Sequence, residues 1–404
     1  MSTPAKKDKD KKGSKRPLRL ITLLSGTGMG GADILALDLS VRLRGMGHHV
    51  IFCCPPDNAL IGAAQKAGLE IKLLGRQSAT DRESLEDFIS YCEMEKIDIV
   101  NAHHSKGRHF LSAARFFHFL SPLSRARFRP KIVFTRHCLR GGVPFTGFLT
   151  DNLACDLSVA VSNAVRKSFL LGGTLPGRIV TVHGGIEIKK FEDVPPAKIE
   201  EVREKYAKKR SSFNIGIVGR FHETRLEPGK PSIKRHEVLF RALANENLFR
   251  GHDINLLVVG PQDARSVGIM KEMARLNGLD ESVITVCGFQ EDVAPFYKIM
   301  DMNVLPSPRE GLGLALVEAM AAGVPVIGAD GGGIREIIAD GVDGFLFRAG
   351  NSGDLAAKIK MLMNDARLRA EFSRRGSQKV GKLFDVEKNS KRLEDIFYGL
   401  ISRT

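Results

Sequence analysis

Short apolar runs alternate with stretches whose apolar positions recur at helical spacing along almost the whole chain. This is the pattern of parallel sheets covered by helices. In the first half it predicts strands over Leu18–Leu24, Val50–Cys54, Ile71–Leu74, Ile97–Ala102, Ile132–Thr135, Leu157–Val161 and Ile179–Val182. Helices are predicted over Ala32–Arg44 and Ser84–Glu95. A polar, Lys/Glu-rich stretch with Pro195-Pro196 then interrupts the rhythm, and residues 189–212 are expected to be a linker. The rhythm restarts with strands Phe213–Val218, Leu256–Val259, Val283–Val286, Asn303–Leu305 and Val324–Ile327. The intervening helices are Ile233–Asn245, Asp292–Met300, Leu314–Ala322 and Leu355–Met363, and Val386–Ile401 forms a last amphipathic helix. The expected class is α/β, with two Rossmann-like doubly wound domains at 17–188 and 213–385 and a final helical segment at 386–404. The carboxyl ends of both sheets would face across a cleft, where the chemistry is expected.

Length agrees: 404 residues exceed one ordinary core. No apolar run approaches the ~18–20 residues of a membrane-spanning helix, and the charged N-terminus has no apolar core of the secretory kind. Six cysteines without CxxC spacing point to a reducing, cytoplasmic compartment. The 61 Lys and Arg against 46 Asp and Glu leave a charge of +15, which favours an anionic partner. Part of that charge lies in residues 1–16, expected to be a disordered basic tail. A second concentration spans Ser105–Thr150, with nine Lys or Arg, no acidic residue, and eight interleaved phenylalanines. Arg115-Phe-Phe-His-Phe-Leu120 followed by Arg125, Arg127, Arg129 and Lys131 suits a face resting on an anionic membrane; a plain basic surface is the competing reading. Nucleic acid is not expected, because no nucleic-acid motif accompanies the patch.

Gly26-Thr-Gly28-Met-Gly30-Gly31 fits GxGxxG between a strand and a helix, yet the second strand ends in Cys54-Pro-Pro with no acidic residue to hold a ribose. Dinucleotide binding is therefore not expected. What remains is a place where the backbone comes close to a ligand at a helix start.

The richest segment is Ser307-Pro-Arg-Glu310-Gly-Leu-Gly-Leu-Ala-Leu-Val-Glu318. Were it wholly helical, the two glutamate Cα atoms would stand roughly 12 Å apart. A retaining glycosidase needs its carboxyl pair about 5–5.5 Å apart, so these two would bracket an elongated ligand rather than attack one bond. Between them the amides of Gly311, Leu312, Gly313 and Leu314 offer a seat for phosphate. Cations for a diphosphate come from Val218-Gly219-Arg220 at a strand end and from Lys234, which opens the next helix. Each charge-assisted bond is worth ~1.5–3 kcal/mol. Any one of these residues alone has an ordinary surface role; their order at strand-to-helix junctions is the signal.

These elements resemble the family-4 retaining glycosyltransferases of GT-B fold. The E-x7-E signature matches Glu310 and Glu318, the GR…K element matches Gly219, Arg220 and Lys234, and the Gly-Gly opening matches Gly30 and Gly31. The resemblance runs from about Leu18 to the C-terminus and implies that the last helix crosses back onto the first domain. It further implies that Arg220 and Lys234 stabilise a departing diphosphate, that Glu318 binds the nucleotide ribose and that Glu310 contacts the donor sugar. The family's strand-end histidine matches His103 in Asp98-Ile-Val-Asn-Ala-His103 and would touch the sugar near its reacting carbon. A metal at His103-His104 is disfavoured because neighbouring strand residues face opposite ways. The only Asp-x-Asp is Asp8-Lys-Asp10 in the tail, so neither metal nor cofactor is expected. Two departures stand out. A longer loop, Phe221–Ile233, brings in Lys230 as a competitor for the role of Lys234, and the hinge reads Val182-His-Gly-Gly-Ile-Glu187 without the usual Asn.

The expected activity is sugar transfer, with retention, from a nucleotide-diphosphate sugar to a glycan or lipid-linked acceptor. Cell-envelope polysaccharide or lipopolysaccharide synthesis is the expected setting, at the inner face of the cytoplasmic membrane. The rivals are a nucleotide-sugar epimerase of the same architecture and a non-catalytic nucleotide-sugar-binding subunit.

Overall fold

A computed structural model describes residues 15–26, 30–75, 78–120, 128–139, 144–219, 234–245, 252–261 and 263–402. The tail 1–14, Gly28, Arg125, Arg127, Arg220 and Lys230 lie outside the described residues. So does the whole of the loop Phe221–Ile233, together with the Asp8-Lys-Asp10 sequence.

Two parallel sheets organise the chain. The first has strands β1 (Arg19–Leu23), β2 (His49–Cys54), β3 (Glu70–Leu73), β4 (Ile99–Ala102), β5 (Lys131–Arg136), β6 (Leu157–Ala160) and β7 (Ile179–Thr181), in the order β3-β2-β1-β4-β5-β6-β7. The second has β8 (Phe213–Val218), β9 (Ile254–Val259), β10 (Ile284–Gly288), β11 (Met302–Leu305), β12 (Val326–Ala329) and β13 (Phe345–Phe347), in the order β10-β9-β8-β11-β12-β13. The central strands read as continuous apolar runs because helices cover both faces. Val50 to Cys54 and all of β9 are buried. In each sheet the chain reverses its winding beside the first strand, between β1 and β4 and between β8 and β11. Crevices open at such carboxyl ends.

The helix Ser105–Leu120, seen in the sequence chiefly as a basic patch, is a cover for the first sheet. Phe110, Leu111, Ala114 and Phe117 recur at helical spacing and are buried against Phe88 and Cys92. Phe134 is core as well, and Phe128 stacks on Phe88 at 6.1 Å. Arg115 is paired with Asp156, and Arg136 is buried in an ion pair with Asp151. Much of the phenylalanine-and-arginine stretch therefore faces inward; Phe116 and Phe148 remain exposed.

The stretch 189–212, expected as a linker, contains two helices, Ile188–Glu192 and Pro196–Tyr206, the second opening on Pro196 where a missing N–H costs nothing. Tyr206 packs its ring 5.2 Å from Phe296 of the second domain. The final helix, Val386–Ile401, returns to the first domain. Leu393 and Phe397 enter the core beside Leu18, Leu43 and Val50, and Glu394 meets the buried His48 Nε2 at 3.0 Å. The backbone N–H of Leu18 donates to His48 Nδ1, so Nε2 carries the ring proton and donates to Glu394. Among the described residues no helix is long and apolar enough to cross a membrane.

Candidate active site

The loop after β11 brings Glu310 to the carboxyl end of the second sheet, and helix Leu314–Ala321 follows. Gly313, at φ +102°, turns the chain into that helix, a conformation other residues resist. The helix thus covers only part of the E-x7-E segment, and Glu310 precedes it. No side chain caps the helix at Gly313; the Leu316 N–H donates to the Gly313 carbonyl, and those of Leu314 and Ala315 are left for an anion.

Lys234 and Glu310 form an ion pair at 2.7 Å, both side chains partly sheltered. A Cβ built on Gly219 would lie 3.6 Å from Lys234 Cε, so the end of β8 and the start of the next helix converge on the Glu310 loop. Lys234 and Glu310 hold each other in place and are the groups that a phosphate and a sugar hydroxyl would compete for.

Glu318 has a different partner. Tyr297 donates its hydroxyl hydrogen bond to Glu318 Oε2 at 2.8 Å. Burial pushes the Glu318 carboxyl up to about 7; the Tyr297 bond and the charge of Lys190 oppose that rise. The Tyr297 phenol is pushed well above its ordinary value by burial and by the nearby carboxylate.

The first domain supplies the other wall. A Cβ on Gly31 would lie 3.3 Å from Leu314 Cδ1, which sets the Gly30-Gly31 helix start opposite the start of helix Leu314–Ala321. The Gly30 N–H donates to Asp33 at 2.8 Å. Leu312 is buried, 3.0 Å from where a Gly184 Cβ would be. Gly311 has no room for a side chain, since its Cβ would run into the backbone carbonyl of His137.

His137 is the main residue that sequence reasoning missed. It follows β5 as His103 follows β4, and the pairing of Ala102 with Phe134 sets the two strand ends side by side. His103 Nδ1 and His137 Nε2 share a hydrogen bond at 2.9 Å. Burial holds both rings neutral, His103 well below its ordinary value and His137 at about 3. Neither His103 Nε2 nor His137 Nδ1 has a hydrogen-bond partner among the described residues. One bond between two neutral rings uses one N–H and one lone pair. The two remaining nitrogens are therefore one donor and one acceptor, whichever ring gives the proton. His104 meets Asp33 at 3.2 Å and accepts from the Ser25 N–H, so it does not join His103 in a common site. Among the described residues no cluster of three His, Cys, Asp or Glu could hold a metal ion.

Residues 29–190 match the domain family described as Glycosyltransferase Family 4, and residues 212–365 match Glycosyl transferases group 1. Both matched models are glycosyltransferase domains, and together they span most of the chain. The fold is GT-B. It superposes on a glycosyltransferase from Rickettsia africae ESF-5 with a TM-score of 0.82, covering 96% of this chain and 100% of that one at 19% identity. It superposes on Anabaena HepE in complex with UDP-glucose with a TM-score of 0.79, over 95% of this chain and 100% of that one at 20% identity. In sequence the chain is 28% identical to the putative glycosyltransferase EpsD of Bacillus subtilis over 223 residues, 55% of each chain. It is 32% identical to N-acetyl-alpha-D-glucosaminyl L-malate synthase of Bacillus anthracis over 149 residues, 37% of this chain and 38% of that one. The chain spans about half the length of the curated relatives it matches.

Proposed function

We propose that the chain transfers a glycosyl group from a nucleotide-diphosphate sugar to a glycan or lipid-linked acceptor, with retention at the anomeric carbon. The observation that carries this reading is the convergence of Lys234, Glu310 and an uncapped helix start on one point of the interdomain cleft, inside the two matched domains. The HepE complexes with UDP and UDP-glucose support a nucleotide-sugar donor on the same fold. Relatives named for capsular polysaccharide and lipopolysaccharide biosynthesis support a cell-envelope acceptor.

In this mechanism the diphosphate sits at the N–H groups of Gly313 to Ala315, with Lys234 on one side. Arg220, two residues after β8 in the sequence, is assigned as the second cation. Lys234 then turns from Glu310 to the phosphate, freeing the carboxylate to accept from a sugar hydroxyl. Glu318 accepts from the ribose hydroxyls. The unpartnered donor nitrogen of the His103–His137 pair is assigned to the sugar near its reacting carbon. The C1–O bond to phosphate breaks as the acceptor oxygen bonds C1, and the acceptor's proton passes to the departing phosphate oxygen. Catalysis is then chiefly positive potential arranged in advance around the leaving group. Assay with a panel of nucleotide sugars and a glycan or lipid-linked acceptor tests the proposal: nucleotide diphosphate and glycosylated acceptor are expected. Product formed from donor alone would favour an epimerase, and binding without any turnover a non-catalytic subunit.

The acceptor side is assigned to the first domain, close to a cytoplasmic membrane face. Exposed Phe116, Phe148, Leu149 and Leu153 on this basic domain support that placement. Flotation with anionic liposomes at low salt tests it; no co-migration would point to a soluble acceptor.

A further inference from the structure

A small set of polar bonds ties the two domains together beside the donor loop. In the first domain, helix Asn163–Leu171 starts at the carboxyl end of β6 and is capped by Ser162. The Ser162 hydroxyl oxygen accepts from the Val165 N–H at 3.1 Å, and the same hydroxyl donates to the carbonyl of Gly311 in the second domain at 2.5 Å. The first two amides of that helix reach the second domain too. Asn163 N–H donates to Glu336 Oε2 at 2.9 Å and Ala164 N–H donates to Glu336 Oε1 at 2.7 Å. His183, on the hinge segment, meets Glu336 Oε2 at 2.9 Å through Nε2. Glu336 stands on the short helix Ile334–Ile337, whose approach is bound to the site, because Gly333 N–H donates to the carbonyl of Glu310 at 2.9 Å.

A single carboxylate thus satisfies two amides that a helix N-terminus otherwise leaves unpaired, at its positive end, from the opposite domain. The neighbouring Gly311 has no Cβ and packs on the His137 backbone, so the contact that seats His137 is flush with the one Glu336 secures. Burial works against charge on Glu336, and the His183 ring with the two amides outweighs it, holding the carboxyl below its usual range.

We propose that Glu336 is the interdomain latch: a positioning residue that grips the first turn of helix Asn163–Leu171 and the His183 ring, and so holds His103 and His137 of the first domain against the Glu310–Gly311 loop of the second. The consequence for catalysis rests on the glycosyl-transfer reading above; the closure itself does not. Glu336 lies outside the donor pocket formed by Lys234, Glu310 and Glu318, so its loss leaves donor binding to the second domain in place and removes the assembled cleft.

The test uses the full chain, wild type and Glu336→Ala, with small-angle scattering for domain separation and steady-state kinetics for transfer. Glu336→Ala is expected to enlarge the radius of gyration, to lower kcat at least tenfold and to leave KM for the donor within threefold. Glu336→Gln, which keeps one acceptor oxygen, is expected to fall between. Because a smaller folded fraction would also lower apparent kcat at unchanged KM and enlarge the radius of gyration, both readouts are taken at equal folded fraction, established by thermal denaturation of each variant. If Glu336→Ala does not fold, Asn163→Pro removes one latch amide from the other side: Pro is tolerated at the first helical position and the preceding Ser162 is already extended. It is expected to lower kcat about threefold with the donor KM unchanged. An unchanged scattering profile with unchanged kcat, or a rise in KM at constant kcat, would overturn the latch. Should the wild type transfer no sugar at all, the transfer reading fails, and the scattering comparison still decides the latch.

Discussion

Replacing Glu318 by glutamine should make the protein more stable and a worse nucleotide binder at the same time. The side chain is largely buried beside Tyr297, and burial raises its carboxyl from 4.5 to about 7. A raised carboxyl pKa means that the folded state binds more protons than the unfolded one between those two values, so stability falls as pH rises through that window. At about 1.36 kcal/mol per pH unit the full displacement corresponds to ~3 kcal/mol, which partial access to solvent trims to about 1–2 kcal/mol. Glutamine mimics the neutral form, so Glu318→Gln should melt about 2–6 °C above the wild type at pH 8 and close to it at pH 5. Loss of a charged acceptor for the ribose hydroxyls should weaken nucleotide-diphosphate binding by ~1.5–3 kcal/mol, roughly ten- to 150-fold. Thermal denaturation at the two pH values, paired with calorimetric nucleotide titration, reads both effects. A variant that melts lower at pH 8 and binds nucleotide as well as the wild type would refute the reasoning on both counts.

Other outcomes follow from the same geometry. Lys234→Ala, which strips a cation from the leaving-group site and leaves Glu310 unpaired, should cut turnover about 10²–10³-fold in a steady-state assay with near-normal melting. The His103–His137 pair is held neutral in the fold and would protonate near 6.5 when unfolded. Stability should therefore decline as pH falls from about 6.5 toward 3, and His137→Gln should flatten that decline in acid denaturation curves. Asp151 holds buried Arg136 and also accepts from Thr174 at 3.0 Å, so Asp151→Ala should cost about 3–5 kcal/mol in chemical denaturation.

Hydrophobic pattern was a good guide where an element's own residues decide its structure. The strand Phe213–Val218 and the helix Val386–Ile401 have the bounds their periodicity suggests, because each carries a full apolar run or stripe. The three-residue strand Phe345–Phe347 has too few positions to show a period. The helix Ala366–Leu383 is so polar that Phe372 and Val380 scarcely mark its buried face. In Ser105–Leu120 the helical stripe was present, and the density of arginine and phenylalanine drew attention from it. The site divides in the same way. Glu310, Gly313 and Lys234 stand at strand-to-helix junctions and Glu318 on the helix that follows Gly313, all within one domain, where local spacing is informative. His137 acquires meaning only from the β4–β5 pairing, and Glu336 only from a contact with Asn163, 173 residues away in the chain. No local pattern encodes either.

The central claim is that the cleft between the two sheets holds an activated sugar by its diphosphate. Isothermal titration of the full chain with UDP-, GDP-, ADP- and dTDP-linked hexoses tests it most directly. Saturable binding of at least one of them, weakened in both Lys234→Ala and Glu318→Gln, is the predicted result. No heat of binding with any donor, or binding that neither substitution alters, would contradict it.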